Sequence, residues 1–282
     1  MRLASLFSLF FIVPGPALGQ GQDGTPAERD LQVMAQLRPG LYDNANQAYF
    51  DQRLKLPEDR RHGRESLRIE ANAGGTATTF TLRWQAGGDP QTWTARLAAA
   101  SDPEKVAMAI RFDDGKRDDC VVEWHRDAGQ FTGTSDCGLA MQLDQSGLWV
   151  SWNGERFNRM LRAREFSCYV DIPGVAGGRD EASDRYMIES LHDQGGLQWI
   201  TTKDEREIGI TLRYVRWPMN NERGAFTRNS LVMYVLEREA EGVRTHTYGW
   251  TEPSAERIGL NLQWMLVNCY RVSNRDVQPY FD

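Results

Sequence analysis

The chain has 282 residues, a formal net charge of −6 and a pI near 5.4. That balance argues against nucleic acid or an anionic membrane as the main partner, because both recruit basic surfaces. With 40% hydrophobic and 26% charged residues, the chain can bury a sizeable core, as one large β domain or two smaller ones.

Met1-Arg2 precedes an almost wholly apolar run from Leu3 to Val13, followed by Pro14-Gly15-Pro16-Ala17-Leu18-Gly19. A charged start, a short apolar run and a small-x-small end predict a secretory signal peptide over residues 1–19, cut after Gly19. A retained anchor is the alternative, but a spanning helix needs about 20 apolar residues. No later segment approaches that length, so the mature chain is expected to be periplasmic or secreted, without a transmembrane segment.

Leu31, Met34 and Leu37 fall at helical spacing, and Thr25 with Glu28 has the form of a capping box, which predicts a helix over Pro26 to Leu37. Pro39-Gly40 stops it, and a second short helix is expected over Asn44 to Gln52. From there the pattern changes to period two. Phe80/Leu82/Trp84, Trp93/Ala95/Leu97, Met108/Ile110/Phe112, Cys120/Val122/Trp124, Leu148/Val150/Trp152 and Phe166/Cys168/Val170/Ile172 each share a face. Ile208/Ile210/Leu212/Tyr214 and the longest run, Ile258/Leu260/Leu262/Trp264/Leu266, continue it. Such alternation reads as strands with one face buried. Gly87-Gly88-Asp89-Pro90, Asp113-Asp114-Gly115, Gly195-Gly196 and Asn220-Asn221 separate the runs, and many closely spaced strands favour a meander closing into a barrel. Pro173 to Asp184 is the best linker candidate, either dividing a barrel of residues 28–172 from a strand-rich remainder or forming a long loop within one barrel.

Ala128-Gly129 sits midway between Cys120 and Cys137 and suits a two-residue hairpin turn. Antiparallel pairing about that turn sets Cys120 opposite Cys137, within disulfide reach. In an oxidising compartment four cysteines read as two bridges. Hairpin geometry favours Cys120–Cys137, and Cys168–Cys269 follows by elimination. A metal site is the alternative, but the cysteines are single and widely spaced, without Cys-x-x-Cys pairs.

Catalytic signatures are absent: no nucleophile elbow, phosphate loop, dinucleotide fingerprint or His-Glu-x-x-His. The histidines His62, His125, His192 and His246 are scattered. Three constellations could carry function. In Gly40-Leu41-Tyr42-Asp43-Asn44-Ala45-Asn46-Gln47, the Tyr42 phenol, the Asp43 carboxylate and the Asn44 and Gln47 amides would converge on a ligand, or Asp43 and Asn44 would merely cap and turn the chain. In Arg60-Arg61-His62-Gly63-Arg64, the guanidinium forks suit carboxylate or phosphate groups, or the run is a solvated loop. In the Gly178–Asp184 segment, Arg179 and Asp180 would form a charged rim or an internal ion pair.

These segments together resemble the CpcT/CpeT family of chromophore lyases. The likeness rests on Gly40-Leu41-Tyr42-Asp43-Asn44 with Gln47, and on the Cys120/Trp124/Phe131/Gly133/Cys137 hairpin. Arg162-Ala163-Arg164 and Gly178-Arg179-Asp180 with Asp184 extend it, over roughly residues 31–200. The chain departs from the family pattern at Met187-Ile188-Glu189-Ser190, where Trp-Gly-Ser is expected, and beyond about residue 200. The resemblance implies a calycin- or lipocalin-like antiparallel β-barrel over residues 28–200, with a short N-terminal helix and a strand-rich C-terminal extension over 201–282. It also implies a linear tetrapyrrole (bilin) ligand attached by thioether to a client protein's cysteine. In that chemistry Arg60, Arg61, His62 or Arg64 would clamp the propionates and Asp43 or Asp180 would engage the pyrrole nitrogens. No cofactor is required beyond the bilin itself. Two other readings stand beside it: a non-catalytic calycin-type binding protein for a small apolar or tetrapyrrole ligand, and a structural envelope protein with a packed barrel.

Overall fold

The computed structural model describes residues 24–37, 39–72, 78–113, 118–172, 183–217 and 228–272. The opening apolar segment and the Arg179 and Asp180 candidates lie outside the described residues.

Helix α1 spans Pro26–Leu37, and its start is the reciprocal pair of bonds that a capping box requires. The Thr25 amide donates to Glu28 Oε2 at 2.8 Å, and the Glu28 amide donates to Thr25 Oγ1 at 3.3 Å. The helix buries Ala27, Met34 and Leu37. It lies across one end of a barrel, where the Ala27 amide donates to Pro103 O (3.0 Å) and Asp30 pairs with Arg126 (3.1 Å).

The barrel is a closed antiparallel meander of ten strands. These are β1 (Gly40–Asp43), β2 (Glu65–Ala71), β3 (Thr79–Ala86), β4 (Gln91–Ala99), β5 (Lys105–Phe112), β6 (Cys120–Asp127), β7 (Gln130–Ser135), β8 (Leu139–Leu143), β9 (Gly147–Trp152) and β10 (Asn158–Arg162). Closure comes from β1, whose Tyr42 pairs with Leu67 on one side and Arg162 on the other. Helix α2 (Ala45–Arg53) and a 3-10 turn (Glu58–Arg60) lie in the connection from β1 to β2. The β6–β7 hairpin turns at Ala128-Gly129, both at positive φ (45° and 84°), as a primed two-residue turn demands. Asp127 therefore opposes Gln130 and Val122 opposes Ser135. The Cys120–Cys137 disulfide joins the two strands beyond those pairs.

Inward-facing side chains fill this barrel. Leu67, Phe80, Leu82, Met108, Val122, Trp124, Phe131 and Met160 are each at most 2% exposed and form one cluster with Met34 and Leu37 of α1. At the end opposite α1, Trp84 stacks on Trp93 (ring centroids 5.5 Å), and Phe112 and Trp152 pack edge-on or tilted around them. Trp124 lies over its cross-strand partner Gly133, where an added Cβ would come within 2.8 Å of the indole.

Beyond Arg162 the chain builds a second core from two four-stranded antiparallel sheets. One sheet, in the order β12-β11-β18-β17, contains β11 (Glu165–Ile172), β12 (Asp184–His192), β17 (Arg257–Leu262) and β18 (Met265–Arg271). The other runs β13 (Gln194–Thr201), β14 (Glu207–Val215), β15 (Ser230–Glu239) and β16 (Gly242–Thr251). Phe166, Cys168, Val170, Val267 and Cys269 of the first pack against Ile208, Ile210, Leu212, Leu231, Met233 and Val235 of the second. The Cys168–Cys269 disulfide lies in this core between directly paired residues. Among the described residues no helix is long and apolar enough to cross a membrane.

Two local readings of the alternation are corrected. The Ile258–Leu266 run is not a single strand: it folds back at Gln263-Trp264, so Leu262 pairs with Met265. Partners across a two-residue turn point to the same face, so the parity inverts and Met265, Val267 and Cys269 are the apolar side chains that β18 buries in the core. Gly195-Gly196 does not separate strands either. It forms a bulge inside β13, with Gly195 at φ 77°, and the turn from β12 is Asp193 alone.

Candidate functional site

The residues singled out after the first helix are brought together, chiefly by bonds to one another and to the backbone. Tyr42 is buried and its hydroxyl donates to Leu37 O (2.7 Å), tying β1 to the end of α1. Asp43 Oδ1 accepts from the Ala45 amide (2.7 Å) at the start of α2. Burial pushes its carboxyl above the usual range, and Arg64, with Nη2 3.1 Å from Oδ2, opposes that shift. Asn44 makes no side-chain cap of α2. Its amide instead donates to Gly63 O (2.8 Å) and to Asn158 Oδ1, while Oδ1 accepts from the Glu65 amide (2.7 Å). Gln47 reaches β10 by accepting from the Arg159 amide (2.7 Å) and donating to Phe157 O (3.1 Å).

The basic run divides. His62 is held against Asp51, with Nδ1 2.7 Å and its backbone amide 2.9 Å from Oδ2, and its Nε2 faces Gln47 Nε2 at 3.3 Å. Arg61 Nε donates to Leu56 O (2.6 Å), and the carbonyl of exposed Arg60 accepts from Arg156. Arg64 bridges the two cores, donating to Asp43 and to the carbonyls of Gln194 (3.2 Å) and Gly195 (3.1 Å). All four cysteines are in disulfides. No group of three or more metal-ligating side chains lies together among the described residues.

A concave feature lies beside this bonded cluster. A cavity of about 320 Å³ opens between α2 and the outer face of the β13–β16 sheet. Its floor follows from strand parity. On β14 and β15, Ile208, Ile210 and Leu212 and Leu231, Met233 and Val235 face the core, so Arg213 and Val215, Val232 and Tyr234 face outward. Register then aligns Val232 with Arg213 and Trp250, and Tyr234 with Tyr248. Tyr49 of α2 forms the opposite wall, and Trp217 closes one side with Phe50 behind it (centroids 5.1 Å). Asn46 fastens α2 to the sheet by donating to Arg216 O (3.1 Å) and accepting from the Arg216 amide (3.0 Å). Tyr248 and Trp250 are 62% and 54% exposed, large values for aromatic rings on a sheet.

Charge in the cleft is mostly balanced by burial and pairing. Asp193, fully buried at its base, is held by the Arg164 amide (2.9 Å) and Nε (2.6 Å). Burial raises its carboxyl pKa, and the Arg164 cation opposes the shift. Burial likewise raises the Tyr234 phenol, which stays neutral. Arg213 lies over the rings of Tyr49 (5.5 Å) and Tyr234 (6.0 Å), and Arg53 lies over Trp217 (5.5 Å).

No protein-family model, curated protein or solved structure matches this chain.

The cleft residues Tyr49, Arg213, Trp217, Tyr234, Tyr248 and Trp250 were not among the candidates. One signal was present in the sequence for Tyr234 alone: the alternation that buries Leu231, Met233 and Val235 leaves it on a position where a polar side chain is expected.

Proposed function

We propose that this is an exported, non-catalytic binding protein that takes a small ligand into the cleft between α2 and the β13–β16 sheet. The observation that carries the reading is the contrast between the two interiors. The barrel is filled by its own side chains, whereas the aromatic cleft is open at about 320 Å³. That volume lies at the small end of the roughly 300–1,000 Å³ typical of ligand sites, which suits one or two rings better than four. Concave shape, aromatic walls and a few convergent polar groups are what such sites share. Export is supported by the opening apolar segment and by two disulfides, which persist in oxidising compartments.

The test is a fluorescence titration of the purified protein with 2-naphthoate and with biliverdin, since Trp217 and Trp250 border the cleft. Saturable quenching by 2-naphthoate that disappears in Val232→Trp, which fills the cleft floor, is the expected result. A biliverdin signal that survives Val232→Trp but is lost when Arg60, Arg61 and Arg64 become Ala would replace this reading with the bilin-lyase one.

A further inference from the structure

Resting on that cleft as the binding site, we infer that its ligand is a planar aromatic carboxylate whose acid group is held by Arg213. Arginines cluster in and around the cleft and its junction with the barrel. Arg64 is paired with Asp43, Arg164 with Asp193, and Arg228 with Glu252 (3.4 Å). Arg213, Arg53, which lies over Trp217, and Arg216, bonded to Asn46, lack a carboxylate partner among the described residues. Of these three only Arg213 lines the cavity, and its guanidinium is positioned by rings, Tyr49 on α2 and Tyr234 on β15. Aromatic contacts engage the faces of a guanidinium. Its in-plane N–H groups remain available as a fork that matches a carboxylate's two oxygens.

The rest of the cleft fits the body of such a ligand. Tyr248 and Trp250 offer broad apolar surface beside Arg213, aligned with it through Val232 and Tyr234. A ring stacked there would carry its acid group toward Arg213. Aromatic boxes of this kind also bind quaternary ammonium ions, but here a guanidinium already occupies the cation position between two tyrosines. A cationic ligand would meet that charge, and the only carboxylate among the described residues lining the cavity, Asp193, is fully buried and engaged by Arg164. An anion is the charge state the site accepts, although the protein as a whole is acidic.

The experiment compares 2-naphthoate, its neutral isostere 2-naphthamide and the cation 2-naphthylmethylammonium, by calorimetry on the full protein and on Arg213→Gln and Arg213→Lys. The acid is expected to bind the wild-type protein roughly tenfold to a hundredfold more tightly than the amide, the range for a charge-assisted hydrogen-bonded pair. Arg213→Gln should bring the acid down to the amide's affinity and leave the amide unchanged. Arg213→Lys should restore part of the gap. Arg213 is exposed, so both variants are expected to unfold at the wild-type temperature. Equal affinity of acid and amide for the wild-type protein, or an undiminished gap in Arg213→Gln, would overturn the anion assignment while leaving the cleft as a binding site. Absence of binding by all three probes would overturn both.

Discussion

Acidification should destabilise this protein through His192. The residue ends β12 beside the Gly195-Gly196 bulge, so tightly packed that a Cβ on Gly196 would meet its Cδ2 at 2.8 Å. Its Nδ1 is buried without a hydrogen-bond partner among the described residues. Burial, and then the positive charges of Arg64 and Arg68, hold its pKa down to about 4 from the ordinary 6.5. A depressed histidine pKa means that the unfolded chain takes up the proton first. Between pH 6.5 and 4 the unfolded state binds more protons than the folded one, so stability falls as pH falls through that window. The shift corresponds to roughly 3 kcal/mol, a large share of the stability of an ordinary domain. Urea unfolding at about pH 7, 5.5 and 4, for the wild-type protein and for His192→Gln, isolates this contribution. Glu237, held at about 2 chiefly by its bond to Arg206, yields only below its ordinary 4.5 and is common to both proteins. The wild-type protein should lose about 3 kcal/mol more than His192→Gln between the first and last pH. Parallel pH profiles, or an NMR titration placing His192 near 6.5, would refute the reasoning.

Other consequences can be checked by the same unfolding assay. Asp193→Ala leaves the Arg164 guanidinium without its carboxylate and should destabilise by about 3–5 kcal/mol, as expected when one partner of a buried pair is removed. Gly133→Ala places a methyl 2.7 Å from Val122 Cγ1 and 2.8 Å from the Trp124 ring, so overpacking of about 1–3 kcal/mol is expected, with partial rescue by Val122→Ala. The Cys168–Cys269 bridge spans 101 positions and Cys120–Cys137 spans 17. Loop-closure entropy then predicts losses of roughly 5 and 3 kcal/mol for the respective Cys→Ala pairs. The reverse order would show that strain or residual structure in the unfolded chain dominates.

The sequence was most informative where a contact is local or fixed by a short turn. The Thr25/Glu28 capping box set the start of α1, and the Ala128-Gly129 turn set a register that carried the Cys120–Cys137 pairing with it. Period-two alternation identified the barrel's inward residues, because a strand with one wet face has little choice of parity. Legibility failed where parity is interrupted, at the Gln263-Trp264 turn and the Gly195-Gly196 bulge. It also failed where elements distant in the chain meet. The Asp43, Asn44 and Gln47 triplet has the residue types of a ligand site, yet its bonds run to Arg64, Asn158 and Arg159, partners 21 to 114 positions away. The cleft is assembled from α2 and from strands β13–β16, which begin about 140 residues later. Only the sheet's register aligns Arg213, Tyr234 and Trp250 on one face, and no local spacing encodes that.

The central claim is that the ligand sits in the cleft and that the barrel is a packed support. A crystal structure of the protein grown with 2-naphthoate tests it most directly. The account predicts the naphthalene ring against Tyr248 and Trp250 with its carboxylate on Arg213. An empty cleft, with the ring lodged among Trp84, Trp93 and Trp152 inside the barrel, would contradict it.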